Sequence, residues 1–220
     1  MIIKLEIKDA DYMKDKQVEQ NIIKAAMKIF TKKGKSGARM QEIADEAGVN
    51  KMLLHYYFKN KDMLFLQVVK RTVEDLYDCV IEESMNSMTF KEVLSVFIDR
   101  HFDFLNERKE SLHFFLWELS RNELDLKEDL KEAVFSSYKK FGKNPFELLT
   151  LKLNEAISNG EVRQVDTSDF ILNLFSLDLF PFIALPVIQT MFPVEDSEIA
   201  RMLEHRKKEV LRLLLNDLIE

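Results

Sequence analysis

Four polar side chains with different hydrogen-bonding chemistry lie close together between Asn50 and Tyr56. Asn50 carries an amide, Lys51 an ammonium group, His55 an imidazole and Tyr56 a phenol. Groups of this kind bind the edges of bases and the phosphates of nucleic acids. They can act together only if one rigid element turns them to the same side, so the surrounding sequence has to supply that element.

The surrounding residues, 35–64, have the spacing of two short helices that cross at a tight turn. Ala44 is small enough for close helix contact, and Gly48 can adopt the left-handed conformation that ends the first helix. Val49 would bury the turn, and Asn50 would cap the second helix by accepting a backbone N–H. The side chains that then face inward are Leu54, Tyr57 and Phe58. This pattern predicts a helix-turn-helix whose second helix enters a DNA major groove.

The same stretch resembles the DNA-binding region of the tetracycline-repressor (TetR) family of bacterial regulators. The resemblance rests on IADEAGVN at 43–50 and LHYYFKNKDML at 54–64, and it extends over about residues 16–76. It implies an all-α fold of about nine helices, in which an N-terminal three-helix domain with a helix-turn-helix at about 39–58 binds DNA. The remaining helices would bind an effector and form a dimer.

The resemblance also assigns residues to the DNA surface. Gln41 and Lys51 match positions that reach bases, where an amide suits adenine and an ammonium group suits guanine. Lys61 matches a common phosphate contact. The complete implied set is Arg39, Gln41, Asn50, Lys51, Met52, Leu53, His55, Tyr56 and Lys61. Met52 and Leu53 replace residues that are usually small in the family, and His55 replaces a frequent tyrosine, so the operator sequence does not follow.

Helix spacing alone leaves a second interpretation open. Two short helices around a glycine turn also occur in all-α proteins, and the chain would then be a helical binding or adaptor protein with a structural helix-turn-helix. The charge distribution favours DNA. The net charge is −6, yet residues 1–62 hold 13 basic and nine acidic side chains against 19 and 29 in the remainder. A basic N-terminal part on an acidic body is typical of a DNA-reading head.

The composition predicts a helical, soluble and cytoplasmic protein. Glycine (5) and proline (4) are scarce, which disfavours β-hairpins, and residues with high helix propensity are abundant. The single cysteine, Cys79, excludes an intramolecular disulfide and fits a reducing compartment. Lys4 and Glu6 interrupt the apolar stretch that a secretory signal would need.

Three regions are expected along the chain. Residues 1–14 alternate apolar and polar side chains without turn chemistry, so we expect a flexible arm or irregular lead-in. Residues 15–62 would form the DNA-binding domain, in which the first helix ends at Gly34. Residues 63–220 would form the effector-binding and dimerisation domain, and its first helix would extend to about residue 87.

The most apolar stretch, 170–192, allows three interpretations. Its length approaches the roughly 20 residues of a membrane span, but Asn173, Asp178 and two prolines interrupt it. We therefore expect no membrane insertion and a buried helix. In the resembled family the last two helices form a four-helix bundle across a two-fold axis, which implies a homodimer through about 169–192 and 197–218. The same helices could instead complete the core of a monomer.

The expected helices of the C-terminal region are rich in phenylalanine and carry a few polar side chains as possible anchors. An apolar pocket with a few polar groups is the usual construction of a small-molecule site. The resemblance implies an effector there, which we expect to be largely apolar, and a double-stranded DNA operator as the second partner. The candidate pocket residues are Phe97, His101, Phe104, Trp117, Phe135, Tyr138, Phe175 and Asp178. Aromatic residues at helical spacing also belong to ordinary cores.

Motifs for catalysis or metal binding are absent from the sequence. There is no Gly-rich phosphate loop and no H-E-x-x-H, and the four histidines are too scattered for a set of metal ligands. We therefore predict no catalytic residue, metal or cofactor, and no enzyme. The expected function is that of a sequence-specific DNA-binding transcriptional regulator, a repressor released from a pseudo-palindromic operator by an effector.

Overall fold

The computed structural model describes residues 2–80, 83–120, 145–192 and 194–219, together with 128, 131, 132, 134–136 and 138. These residues form helices and no strand, which confirms the all-α class. The helices are α1 (Ile2–Gly37), α2 (Met40–Ala47), α3 (Lys51–Tyr57), α4 (Lys61–Val80), a 3₁₀ helix (Glu83–Ser87), α5 (Phe90–Glu107), α6 (Lys109–Ser120), α7 (Pro145–Ser158), α8 (Thr167–Met191) and α9 (Asp196–Ile219).

Several helix ends differ from the sequence expectation. The backbone of α1 is helical from Ile2, where the sequence pattern predicted an arm or irregular lead-in; the flexibility of residues 1–14 stays a prediction. Gly34 has φ 71 and ψ 165 and breaks α1 where a helix end was expected. The long helix expected to reach about residue 87 ends at Val80, because a 3₁₀ helix replaces its last turns. The Gly-Lys-Asn-Pro segment at 142–145 predicts a kink or a loop between two helices, and up to residue 144 it lies outside the described residues.

Unit 1 comprises Met1–Val73 and Glu110–Ser136. Its buried core takes apolar side chains from α1, α2, α3, α4 and α6, among them Ile22, Ala26, Phe30, Ile43, Ala44, Leu54, Leu64, Phe65, Val68 and Phe114. The rings of Phe30, Phe65 and Phe114 contact one another, with centroids 5.4, 5.8 and 6.4 Å apart. α6 is therefore part of the core that supports the helix-turn-helix, although it is distant in the sequence.

A buried carboxylate of α6 stabilises the end of α1. Glu118 is only 3% exposed, and its Oε1 accepts a hydrogen bond from the backbone N–H of Lys35 at 3.1 Å. Because Gly34 leaves the helical conformation, the N–H that follows it needs a partner from outside the helix. Glu118 supplies that partner.

Unit 2 comprises Glu74–Lys109 and Ser137–Glu220. Its core lies among α5, α7, α8 and α9 and includes Val93, Leu94, Ile98, Leu149, Leu153, Phe170, Leu174, Val210, Leu214 and Leu218. Lys207 of α9 binds Asp99 at 3.0 Å and Asp103 at 2.6 Å, both on α5. These ion pairs add a polar connection between the first and last long helices of this unit.

α8 continues through Pro181 and Pro186, and most of its residues are not buried. Pro181 has no N–H to donate to the Leu177 carbonyl, and Arg206 of α9 donates to that carbonyl at 3.4 Å. The buried residues of α8 are Phe170, Leu174, Asp178 and Phe182. The expectation of a buried helix is therefore wrong for the single chain. Among the described residues, α8 is also the one helix that could span a membrane, by length and composition only.

Candidate nucleic-acid interface and effector site

The turn between α2 and α3 has the predicted conformation. Gly48 has φ 67 and ψ 29, and its N–H bonds to the carbonyls of Ala44 and Asp45. A Cβ at Gly48 would meet nothing within 4 Å, so the left-handed backbone, and not lack of space, favours glycine. Oδ1 of Asn50 accepts the N–H of Leu53 at 2.8 Å and caps α3. These local bonds set the direction in which α3 leaves the turn.

α3 is anchored on one side and exposed on the other. Leu54 is fully buried in the core of unit 1, whereas Met52 is 82% exposed and Tyr56 is 78% exposed. Lys51 and His55 are exposed as well. Lys51 lies one helical turn from His55, and Met52 lies one helical turn from Tyr56. Lys51, Met52, His55 and Tyr56 thus form one continuous exposed surface, which we call the α3 face.

The His55 ring is held by the backbone. Its Nδ1 lies 3.2 Å from the carbonyl oxygen of Lys59, and since a carbonyl only accepts, Nδ1 carries the proton. Nε2 is then the nitrogen left for DNA, an acceptor on the neutral ring and a donor on the cation. Leu53 is half-buried. Of the two large apolar residues that replace small ones in this helix, Met52 is therefore the one that projects into solvent.

The two tyrosines at the end of α3 have different environments. The Tyr57 hydroxyl donates to Oδ1 of Asp15 on α1 at 3.1 Å. Burial, together with this carboxylate, raises the pKa of Tyr57. The Tyr56 ring packs edge-on against the Tyr57 ring, with centroids 5.3 Å apart. Tyr57 therefore holds α3 against α1, while Tyr56 presents its phenol to solvent.

Arg39 and Gln41 lie at the start of α2 and are both exposed. Arg39 is the residue before the helix and makes no side-chain capping bond. The Gln41 amide donates to Oδ1 of Asp45 at 2.8 Å. Its carbonyl oxygen and second amide hydrogen stay available for a base edge. The DNA contacts assigned to both residues by the resemblance stay predictions.

Lys61 has a structural role that the sequence pattern did not indicate. Its Nζ donates to the carbonyl of Ser36 at 3.1 Å and to that of Ala38 at 3.2 Å. These carbonyls lie at the connection between α1 and α2, where the last carbonyl groups of a helix have no intrahelical N–H partner. Lys61 thus connects this segment to the start of α4. The third hydrogen of its ammonium group remains for a phosphate contact.

Acidic neighbours partly neutralise the basic side chains of unit 1. Three lysines form ion pairs at 2.6, 2.9 and 3.5 Å: Lys28 with Glu46, Lys33 with Glu42, and Lys35 with Asp62. The hydrogen bond from Lys33 lowers the pKa of Glu42. In the described part of the chain, Arg39, Lys51 and Lys59 form no such pair. Their charges are therefore not neutralised by an ion pair and are available to phosphates.

Four of the predicted pocket residues come together between α5 and α8. The Nδ1–H of His101 donates to Oδ2 of Asp178. The Phe97 ring lies 5.2 Å from the His101 ring, and Phe175 stands edge-on to it at 6.2 Å. Phe146 of α7 completes the group, 5.7 Å from Phe97 and 4.9 Å from Phe175. We call these five side chains the Asp178 cluster. The sequence did not predict Phe146 as a pocket residue, because its contacts with Phe97 and Phe175 depend on how α7 packs.

The polar pair of the Asp178 cluster is buried. Asp178 is 0% exposed and His101 is 3% exposed, whereas Phe146 and Phe175 are half-buried. Oδ1 of Asp178 has no hydrogen-bond partner among the described residues. A buried acceptor without a partner costs about 1–3 kcal/mol, so this oxygen is a place where a donor would bind favourably.

The other predicted pocket residues have different surroundings. Phe104 is buried beneath the guanidinium of Arg108, 4.3 Å from the ring centroid. Phe135 and Tyr138 are 57% and 38% exposed, so both side chains lie at the surface of the part of the chain that the structure describes. The side chain of Trp117 lies outside the described residues. Half of the predicted pocket residues therefore lie in one contiguous cluster, and their contact with an effector stays a prediction.

The described ranges contain no group of three or more His, Cys, Asp or Glu side chains that could hold a metal ion. Cys79 is a free thiol whose Sγ lies 3.4 Å from the carbonyl oxygen of Arg100. Burial raises the pKa of Cys79, which disfavours the reactive thiolate.

Sequence comparison places the helix-turn-helix in a known family. The profile of the bacterial regulatory proteins of the tetR family matches residues 22–68. The chain is 26% identical over 153 residues to the fatty acid metabolism regulator protein of Bacillus subtilis, covering 69% of this chain and 75% of that protein. It is also 26% identical to the probable HTH-type transcriptional regulator YttP of B. subtilis, covering 82% of this chain and 84% of that one.

Structural comparison finds the same fold over nearly the whole chain. The crystal structure of the transcriptional regulator FadR from B. subtilis in complex with stearoyl-CoA matches with a TM-score of 0.69 and 22% identity. The match covers 90% of this chain and 98% of FadR. Residues 22–68, which include the α3 face, thus match the tetR family of bacterial regulatory proteins, and with its two B. subtilis relatives this match identifies the chain as a DNA-binding transcriptional regulator.

Proposed function

We propose that this regulator is a homodimeric cytoplasmic repressor that a small-molecule effector releases from a pseudo-palindromic DNA operator. The α3 face carries the proposal, because it presents four side chains able to contact DNA on a helix anchored by Leu54. In this proposal residues 15–62 read DNA, and residues 63–220 bind the effector and form the dimer.

Each side chain of the α3 face suits a part of the major groove. Lys51 can bind guanine O6 and N7, and Met52 can contact thymine methyl groups. His55 can use Nε2, and the exposed phenol of Tyr56 can bond to a phosphate or a base. The charges of Arg39 and Lys59 add sequence-independent attraction to the backbone.

The exposed surface of the last two helices supports the homodimer. Large apolar side chains lie exposed along α8, at intervals of three, four or eight residues, and continue on α9: Leu172, Phe180, Ile183, Val187, Met191, Met202 and Leu213. Such a stripe lies on one side of a helix, and exposed apolar surface of this kind marks an interface. A second copy of the chain would cover it through a two-fold axis, and two recognition helices would then face a palindromic site.

The Asp178 cluster supports an effector site within unit 2. It combines aromatic walls with a buried polar pair, the construction that small-molecule sites share. A related regulator, FadR of B. subtilis, binds stearoyl-CoA, and this favours an effector with a long apolar part. By linkage, an effector that prefers the state with low operator affinity releases the DNA.

Selection of binding sites from randomised DNA, followed by gel-shift titration of the selected operator, tests the proposal. We expect a palindromic site bound by two chains. Lys51→Ala should weaken binding by about tenfold or more, because a good base contact contributes about 1–3 kcal/mol. Lys91→Ala is the matched control, since it removes the same charge from an exposed position of α5.

Two outcomes would contradict the proposal. Selection without enrichment of any palindrome would exclude a sequence-specific dimeric regulator. Equal operator affinities of Lys51→Ala, Tyr56→Ala and the unchanged protein would favour a helix-turn-helix with a purely structural role.

A further inference from the structure

Oδ1 of Asp178 is an open hydrogen-bond acceptor in the interior of unit 2. The residue is 0% exposed, and this oxygen has no partner among the described residues. Buried polar atoms of folded proteins nearly always have a partner, and an exception points to a functional role or to a missing ligand. Packing of the apolar core gives no reason for a carboxylate at this position.

His101 fixes the direction of this acceptor. Its Nδ1–H donates to Oδ2, the other oxygen of the same carboxylate. The rings of Phe97 and Phe175 pack against the imidazole at 5.2 and 6.2 Å and restrict its movement. The carboxylate is therefore oriented before any ligand arrives, which lowers the entropic cost of binding one.

The walls around the pair are aromatic and partly accessible. Phe146 and Phe175 contact each other at 4.9 Å and are half-buried, so both rings keep some accessible surface. Aromatic rings bind apolar groups through their area, and their faces also attract cations. Both properties suit a molecule with an apolar body and a donor group.

We propose that the effector presents a hydrogen-bond donor, a hydroxyl or a protonated amine, to Oδ1 of Asp178 and lays its apolar body against Phe146 and Phe175. This inference rests on the proposed function, because it takes the Asp178 cluster as part of the effector site. A ligand that ends in a carboxylate would bring a like charge to Asp178 and leave Oδ1 without a donor. The site therefore selects among apolar molecules by the chemistry of one end.

Three compounds with the same decyl chain test this selection: decylamine, 1-decanol and decanoate, each below its micellar concentration. Isothermal titration calorimetry of the whole chain gives their affinities, and gel shift of the selected operator reports DNA release. We expect decylamine or 1-decanol to bind about tenfold or more tightly than decanoate, since each donates a hydrogen bond to a buried carboxylate. Binding of decylamine alone identifies an ammonium ligand, and binding of both shows that a hydroxyl is sufficient.

A matched pair of variants locates the effect. Asp178→Asn keeps the shape of the side chain and removes its charge, and Asp169→Asn makes the same change at an exposed position of α8. We expect Asp178→Asn to weaken decylamine binding by about tenfold while decanoate binding does not fall, and Asp169→Asn to change neither. If Asp178→Asn does not fold, the order of affinities for the unchanged protein decides.

Three results would overturn the proposal: decanoate binding as tightly as the two donors, equal decylamine affinity of Asp178→Asn and the unchanged protein, or no binding of any decyl compound. Operator binding by the ligand-free protein separates this failure from that of the proposed function. Specific DNA binding without donor preference would contradict the effector chemistry alone, whereas loss of specific DNA binding would contradict the repressor.

Discussion

The α3 face and the Asp178 cluster place polar side chains in opposite environments. On the α3 face, Lys51 and His55 are exposed, so water meets their hydrogen-bonding capacity, and in the proposed function DNA replaces that water. In the Asp178 cluster, His101 and Asp178 are buried, so the protein or a ligand has to meet theirs. The polar groups of the α3 face are therefore hydrated, whereas those of the Asp178 cluster are desolvated.

This difference separates binding from stability. An exposed polar side chain contributes little to folding, so its substitution should change DNA affinity while the fold remains. A buried pair contributes to both, because removal of one partner leaves the other desolvated and unpaired. Substitutions of the same residue type in the two regions therefore test the comparison directly.

The largest effect is expected from the histidines. His101→Ala should lower the free energy of unfolding by about 3 kcal/mol, because it leaves the Asp178 carboxylate buried without its donor. His55→Ala should change it by less than about 0.5 kcal/mol and should weaken operator binding instead. Urea unfolding at a fixed protomer concentration measures the first quantity, and gel shift measures the second. Equal losses of stability in the two variants would show that burial does not distinguish His101 from His55.

A smaller effect is expected from the turn that orients the α3 face. Gly48→Ala should cost about 1 kcal/mol, because a side chain in the left-handed region strains the backbone although it meets no neighbouring atom. Gly37→Ala is the control with the opposite sign. Its Cβ would lie 3.5 Å from the Lys33 Cβ, an ordinary contact, and alanine in a helix should stabilise by up to about 1 kcal/mol. Thermal unfolding of both variants checks the signs, and a stabilising Gly48→Ala would contradict the role of the turn.

The smallest effect concerns acid sensitivity in the two units. The pKa of Glu42 in unit 1 is lowered by the hydrogen bond from Lys33, and that of Glu92 in unit 2 is lowered by the backbone N–H of Thr89. Since both pKa values are lower in the folded than in the unfolded state, each group stabilises the fold above the ordinary value of 4.5. That contribution is lost as the pH falls through the folded pKa.

Glu42→Gln and Glu92→Gln should therefore each flatten the dependence of the melting temperature on pH between about pH 3 and pH 6. Lys33→Met should reproduce the effect of Glu42→Gln, because it removes the largest cause of the lowered pKa. Melting curves of the variants that run parallel to that of the unchanged protein at every pH would exclude a role for these carboxylates.

Local signals predicted the recognition element well. Gly48 acts through carbonyls no more than four residues away, and Asn50 acts on the N–H of Leu53 three residues later. Bonds of this range form wherever the residue types occur at the right spacing, so helix ends and caps follow from the sequence. The capping of α5 by Thr89 follows in the same way.

Side chains with long reach were harder to predict. Lys61 was expected to contact phosphate, and that contact stays a prediction. The structure shows that its Nζ binds two carbonyls more than 20 residues earlier in the chain. Of the eight predicted pocket residues, four contact one another, because α5 and α8 happen to face each other at His101 and Asp178. Helical periodicity identifies a side that packs, but it does not identify the opposite helix.

The residues of this chain determine its helices, its turn and the exposed chemistry of α3, because those features depend on interactions within one or two helical turns. Packing decided the pairing of His101 with Asp178 and of Lys35 with Glu118, which join residues 77 and 83 positions apart. Packing also left most residues of α8 without full burial, although the composition of this helix predicts that it will be covered. An apolar sequence specifies that a helix avoids water, whereas the surface that covers it depends on the arrangement of every other helix.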